Sequence, residues 1–188
     1  MCITFISLVF GLFLGTCLFD GALFNESSIS TQDHFDLDQF MGRWFEVVVV
    51  STCPYFMQRK MRNNAVVELE LQHTEANITV TATSARNESC ELTVINYSLT
   101  ETPGRFFYHF SKFNADVDVN VVDTNYVEYA FMVDLSTELP ARQKTLKMKL
   151  YSRTKNMSAA MLENFKLLVR EKGVNDTKII INLDKGLC

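Results

Sequence analysis

From residue 34 onward, apolar and polar residues alternate along most of the chain, and this period of two constrains the fold more than any other feature. Asp116-Val117-Asp118-Val119-Asn120-Val121 alternates without a break, and so does Thr145-Leu146-Lys147-Met148-Lys149-Leu150. A strand points successive side chains to opposite faces, so this pattern predicts extended chain with one face buried. Residues 44–51, 66–71, 78–83, 92–97, 106–110, 116–121, 126–134 and 145–150 read as eight such strands. Polar or Gly/Pro-bearing turns such as Thr102-Pro103-Gly104 separate them. Eight short strands at regular spacing predict an antiparallel barrel or sandwich. Closing eight strands into a barrel leaves room inside for side chains or one small ligand, and it removes exposed sheet edges.

One segment breaks the alternation. Met161, Leu162, Phe165, Leu168 and Val169 fall on one face of a helix, with Ser158 placed to cap its start and Gly173 to end it. A short strand over 178–182 follows. No repeat or linker divides the 188 residues, which predicts one domain. The formal charge is −4 and no Lys/Arg cluster offers a phosphate-binding stripe, so nucleic acid is excluded as a partner. There is no G-x-S-x-G, P-loop, dinucleotide fingerprint or zinc spacing. His34, His73 and His109 lie too far apart in sequence to suggest a metal site.

Residues 1–22 are apolar with small residues toward the end and read as a secretory signal, cut between 16 and 22. Residues 23–34 then form an N-terminal extension and 35–188 the folded domain, with no stable membrane insertion after the signal is removed. N-x-S/T sites stand at Asn25, Asn77, Asn87, Asn96, Asn156 and Asn175, which predicts an extracellular glycoprotein. Removal of the signal takes Cys2 and Cys17 with it and leaves Cys53, Cys90 and Cys188. Secretion favours a disulfide, but the count alone does not say which two pair.

Three segments carry a family resemblance. Phe35-Asp36-Leu37-Asp38-Gln39-Phe40-Met41-Gly42-Arg43-Trp44 resembles the G-x-W signature of the lipocalins. Val122-Asp123-Thr124-Asn125-Tyr126 resembles their second signature, and Leu150-Tyr151-Ser152-Arg153-Thr154 the third. The resemblance implies an eight-stranded antiparallel up-and-down barrel with the C-terminal helix packed outside. It implies structural roles for Gly42, Trp44, Thr124 and Arg153. Trp44 would lie across the closed end with Arg153 stacked on it, and Gly42 would permit the tight entry into the first strand.

Ser51-Thr52-Cys53-Pro54-Tyr55, the stretch from Gly104 to Asn114 and the ending Asp184-Lys185-Gly186-Leu187-Cys188 are similar to the alpha-1-microglobulin branch of that family. That similarity implies a Cys90–Cys188 disulfide and leaves Cys53 as a free thiol at the barrel mouth, assisted by Lys149. It admits radical or haem scavenging at that thiol, with haem or another chromophore as ligand and no required cofactor. It equally admits a plasma protein disulfide-linked through Cys53. The third signature is also very like that of lipocalin-type prostaglandin D synthases. Their nucleophilic cysteine has no counterpart here, because Val66 stands near its place.

The function expected is binding and transport of a small hydrophobic ligand in the barrel, without enzymatic turnover. Candidate lining residues are Val48, Val50, Cys53, Val67, Leu69, Val94, Phe107, Val121, Tyr129, Phe131 and Met148. Alternation alone does not fix which parity faces inward for most of them.

Overall fold

The structure, a computed structural model, describes residues 29–186 and 188. The signal segment and Asn25 lie outside the described residues. Nine strands follow in order: β1 (Gly42–Ser51), β2 (Val67–His73), β3 (Asn77–Arg86), β4 (Ser89–Leu99), β5 (Arg105–Phe110), β6 (Ala115–Thr124), β7 (Tyr129–Glu138), β8 (Gln143–Ser152) and β9 (Ile180–Ile181). Each of β1–β8 pairs antiparallel with its sequence neighbours, and β1 pairs with both β8 and β2, which closes the barrel. The expected eight-stranded lipocalin-type barrel is therefore the architecture. The last expected strand is shorter than predicted: β9 is two residues set against Val48 and Val49.

The first half of β1, from Gly42 to Glu46, pairs with β2. Its second half turns to β9 after a register shift between Glu46 and Val48. A bulge of this kind inserts a residue and reverses which side chains face in. Trp44 and Glu46 lie on the interior side before it, and Val49 and Ser51 after it, across from Lys149 and Lys147.

Among the described residues, three α-helices accompany the strands: α1 (Leu37–Phe40), α2 (Pro54–Arg62) and α3 (Ala159–Glu171). α3 starts where the sequence placed it, with Ser158 Oγ accepting from Met161 N–H. Its buried residues Phe165 and Val169 pack against the outside of β1, β7 and β8, on Val48, Val50, Phe131, Val133, Met148 and Leu150. α2 leaves no mark in the alternation of apolar and polar residues. Pro54 at its first turn has the φ a helix needs, and Arg59, Lys60 and Arg62 in its last turn complement the helix dipole. Met57 is its buried anchor, with Sδ 3.1 Å from Ser51 N.

The floor is apolar and filled. Phe40, Trp44, Leu69, Leu71, Ile78, Val80, Tyr97, Phe106 and Val121 form one buried cluster inside the barrel. Trp44 is fully buried, and its indole N–H donates to Phe40 O at 2.7 Å. Gly42 has φ +85°, a left-handed conformation open to glycine at little cost. The β6–β7 hairpin closes this end through Thr124, whose hydroxyl donates to Tyr129 O and accepts from Tyr126 N–H. Tyr126 has φ +65° and belongs to that turn, so β7 begins at Tyr129 and not at 126. Residues 29–34 lie on the barrel surface, with Gln32 N–H donating to Val121 O. Cys90 and Cys188 form a disulfide that ties β4 to the C-terminus.

Candidate binding site at the barrel mouth

The interior changes character along its length. On β8 the inward residues are Tyr151, Lys149, Lys147 and Thr145, read from the closed end to the mouth. Opposite them on β7 stand Ala130, Met132, Asp134 and Ser136. A strand can carry charges at alternate positions only if something pairs them. Lys149 Nζ lies 2.7 Å from Asp134 Oδ2, and both residues are almost wholly buried. Lys147 reaches the same oxygen only at 4.0 Å. On β1, Glu46 holds Lys60 of α2 at 3.0 Å and also accepts from the Asn182 side chain.

The titration behaviour follows from these contacts. Burial opposes the charged form of Lys149, but Asp134 outweighs it and holds the ammonium well above its ordinary value. For Glu46, burial works to raise the carboxyl, and Lys60 with Lys149 overcomes it and lowers it. Lys147 goes the other way. Burial depresses it and Lys149 adds to that, while Asp134 opposes. Tyr97, Tyr108 and Tyr151 are all pushed upward, first by burial.

Above this polar belt lies a cavity of about 620 Å3. Its walls carry Tyr55, Phe56, Phe110 and Phe113, and its charged lining is Arg59, Lys60, Arg62, Arg86, Lys112 and Lys147 against Glu91 and Glu138. Glu91 is already paired with Arg86 at 2.9 Å. Three of the cations face aromatic rings: Arg59 over Tyr55, Lys112 over Phe113 and Lys147 over Phe56. The hollow is thus aromatic and cationic, where the sequence led to an oily one.

The candidate lining residues divide. Val67, Leu69 and Val121 face the interior but belong to the floor cluster. Cys53 lines the cavity. Val48, Val50, Phe131 and Met148 are corrected: they are buried on the outer face beneath α3, and Tyr129 packs against that same outer cluster. Val94 and Phe107 are corrected too, because they point out of the barrel wall and are exposed. The physical reason is shared. An outer face covered by a helix is as apolar as a core, so apolar residues in alternation mark a buried side without marking the inside.

The free-thiol expectation at Cys53 is also corrected. Cys53 is disulfide-bonded, so its sulfur is not a thiolate in this structure. The count that left it over had set aside Cys2 and Cys17, which lie outside the described residues. Lys149 is no assistant to it, since Asp134 holds its ammonium; Lys147 is the β8 lysine that shares the cavity lining with Cys53. His34, His73 and His109 all lie outside the cavity lining; His73 pairs with Asp38 and His109 with Asp116. Among the described residues, no group of three His, Cys, Asp or Glu side chains gathers to hold a metal.

A family model described as the lipocalin / cytosolic fatty-acid binding protein family matches residues 41–186. Protein AMBP of Pleuronectes platessa is 42% identical over 84% of this chain and 44% of its own length. Protein AMBP of Sus scrofa is 36% identical over 86% of this chain and 48% of its own. The chain therefore spans about half the length of these relatives. Prostaglandin-H2 D-isomerase of Felis catus is 28% identical over 82% of this chain and 81% of its own. Val66 packs in the outer cluster, and the inward residues of β2, namely Val67, Leu69 and Leu71, carry no sulfur nucleophile. Among solved structures, one titled "The Siderocalin Ex-FABP functions through dual ligand specificities" matches with TM-score 0.64 at 19% identity. It covers 78% of this chain and 91% of that one, a likeness of fold.

Proposed function

Because this chain belongs to the lipocalin family, whose members bind small hydrophobic ligands, we propose that it is a secreted carrier of a small apolar molecule bearing an acidic group. The observation that carries this reading is the mouth cavity, with aromatic walls and an excess of cations over carboxylates. Aromatic faces supply apolar contact area, and cations in a partly enclosed space favour an anion more than they would in water. The filled floor leaves the ligand in the upper half of the barrel, beside α2.

Secretion draws support from the signal-like segment 1–22 and from the sugar acceptors. Asn77, Asn87, Asn96, Asn156 and Asn175 are all exposed, as a glycosylation site must be. No described helix is long and apolar enough to cross a membrane. Haem is a poor candidate for the ligand, since no histidine lines the cavity to meet its iron.

The test pairs two probes of similar shape. 8-Anilinonaphthalene-1-sulfonate is an aromatic anion, and N-phenyl-1-naphthylamine is its uncharged counterpart. The anion is expected to bind at least about tenfold tighter, which corresponds to ~1.4 kcal/mol. Arg59→Gln with Lys112→Gln should erase most of that preference. Equal or better binding of the neutral probe overturns the acidic-ligand reading.

A further inference from the structure

Of the described sugar acceptors, Asn87 is the one that lines the mouth cavity. Asn77 starts β3 near the closed end, and Asn96 faces out from β4, where it accepts from the Thr79 hydroxyl. Asn156 and Asn175 lie beyond β8, outside the cavity lining. Asn87 sits at the tip of the β3–β4 hairpin. β3 ends at Arg86, paired with Ser89 at the start of β4, so Asn87 and Glu88 make up the whole turn. Their φ angles are +47° and +61°. Two left-handed residues in succession are the mark of a type I′ turn, which favours asparagine at the first position. The turn is firmly held. Asn63 Nδ2, at the end of α2, donates to Ala85 O at 2.9 Å, Arg86 Nη1 donates to both Glu91 oxygens, and Ser89 Oγ donates to Arg86 O. The Cys90–Cys188 disulfide follows directly. Asn87 therefore leaves the rim at a fixed place. Tyr55, Phe110 and Phe113 line the same opening and are exposed. Gathered exposed rings mark a contact surface, and the C–H face of a pyranose packs on such rings while its hydroxyls stay in water.

We propose that an N-linked glycan on Asn87 is a gate over the mouth, whose first sugars rest on the rim rings and slow both entry and exit of the ligand. Attachment joins Asn87 Nδ2 to the anomeric carbon of the first sugar. The lipid diphosphate of the sugar donor is the leaving group, and the amide proton goes to a base of the transferase. The sugars swing aside as the ligand passes and return once it lies below them, beside α2. Free and bound states are then equally covered, and only the barrier between them is raised. Both rate constants fall by one factor and Kd stays the same, which separates a gate from a sugar that touches the bound ligand. This rests on the secreted carrier reading with its ligand in the mouth cavity, as proposed above.

The test uses the full chain secreted from cells that N-glycosylate. Peptide mass spectrometry reads sugar occupancy at Asn87, and stopped-flow fluorescence with 8-anilinonaphthalene-1-sulfonate gives kon and koff. Asn87→Gly removes the acceptor and suits the left-handed turn. Ser89→Ala removes the same acceptor from the other end of its N-x-S site and keeps Asn87. Asn77→Gln removes a sugar near the floor and serves as the control. Asn87 is expected to carry a glycan. Asn87→Gly and Ser89→Ala should each raise kon and koff together by at least about threefold, with Kd unchanged within about twofold. Enzymatic removal of sugar from the folded wild type should reproduce that change without any substitution. Asn77→Gln should leave both rates where they were. A bare Asn87, unchanged rates in either variant, a change in koff alone, or an equal change in Asn77→Gln overturns the gate, while binding of the probe leaves the carrier reading standing. Failure of the probe to bind wild type and variants alike overturns both.

Discussion

The guanidinium of Arg153 lies 3.7 Å from the centre of the Trp44 ring, and it is fixed there by backbone carbonyls from three segments. Nε donates to Tyr126 O, Nη1 to Met41 O and Arg43 O, and Nη2 to Gln39 O, all within 3.0 Å. One side chain thus joins the β6–β7 turn, α1 and the start of β1 beneath the barrel floor. Lysine could not replace it, because a single ammonium cannot present a planar face and a fork of donors together.

Arg153→Lys is accordingly expected to destabilise nearly as much as Arg153→Met. The cation–π contact alone is worth roughly 0.5–2 kcal/mol, and orphaned carbonyls add to the cost. Trp44→Ala removes a fully buried ring, for which ~3–5 kcal/mol is typical. Urea denaturation measures both. Probe affinity at the mouth should survive in whatever fraction stays folded, since neither residue touches the cavity. A Trp44 variant of unchanged stability that has lost probe binding would contradict the division between floor and mouth.

Glu46 and Lys60 tether α2 to the wall, and the tether depends on pH. Both side chains are little exposed, at 13% and 11%. The Glu46 carboxyl is lowered in the folded protein, so its contribution is present above the ordinary value near 4.5 and is lost as pH falls through the folded value. The stability difference between wild type and Glu46→Gln should therefore be largest near pH 6–7 and shrink below about pH 4. Chemical denaturation at a series of pH values checks this. A constant difference across that range would mean that Glu46 acts through packing and not through its charge.

The barrel and its closing end were legible in the sequence for a simple reason. Alternation needs only a buried face, and the G-x-W, T-N-Y and Y-S-R segments encode turns and contacts close to themselves. The lining of the site was not legible, because it depends on which buried face is inward. Leu146, Met148 and Leu150 look like core, and they are core, but of the layer between the wall and α3. Lys147 and Lys149, which read as the solvent side of β8, are the interior. The register shift after Glu46 hides the same reversal in the valine run of β1. A helix on the outside and two buried carboxylates on the inside invert the usual meaning of hydrophobic alternation, and only pairing across strands reveals it. α2 was missed because its single buried residue, Met57, leaves no apolar stripe to find.

The Cys90–Cys188 disulfide spans a sequence separation of 98 residues. Restricting so long a loop in the unfolded chain is worth roughly 4–5 kcal/mol in the loop-entropy model. Cys90→Ser with Cys188→Ser should thus lower the denaturation midpoint substantially while leaving the mouth cavity intact, since neither cysteine lines it. A fall of less than about 1 kcal/mol would place most of the disulfide's effect outside chain entropy.

The buried pair of Asp134 and Lys149 sets two kinds of substitution against each other. Removing one partner leaves a charge enclosed by the barrel, and such losses run to ~3–5 kcal/mol. Removing both together, as in Asp134→Leu with Lys149→Met, exchanges two desolvated charges for apolar volume and is often neutral or stabilising. Asp134→Leu and Lys149→Met should therefore each be markedly less stable than the double variant, although the double variant changes more atoms. Lys147 is the complication, because in Asp134→Leu it loses the carboxylate oxygen that lies 4.0 Å from it as well. That adds to the cost of the single substitution and persists in the double one, so the gap between them isolates Lys149. Equilibrium unfolding of the four proteins in a double-mutant cycle gives that gap directly. A double variant as unstable as the two single ones summed would show that the two residues do not act as a pair.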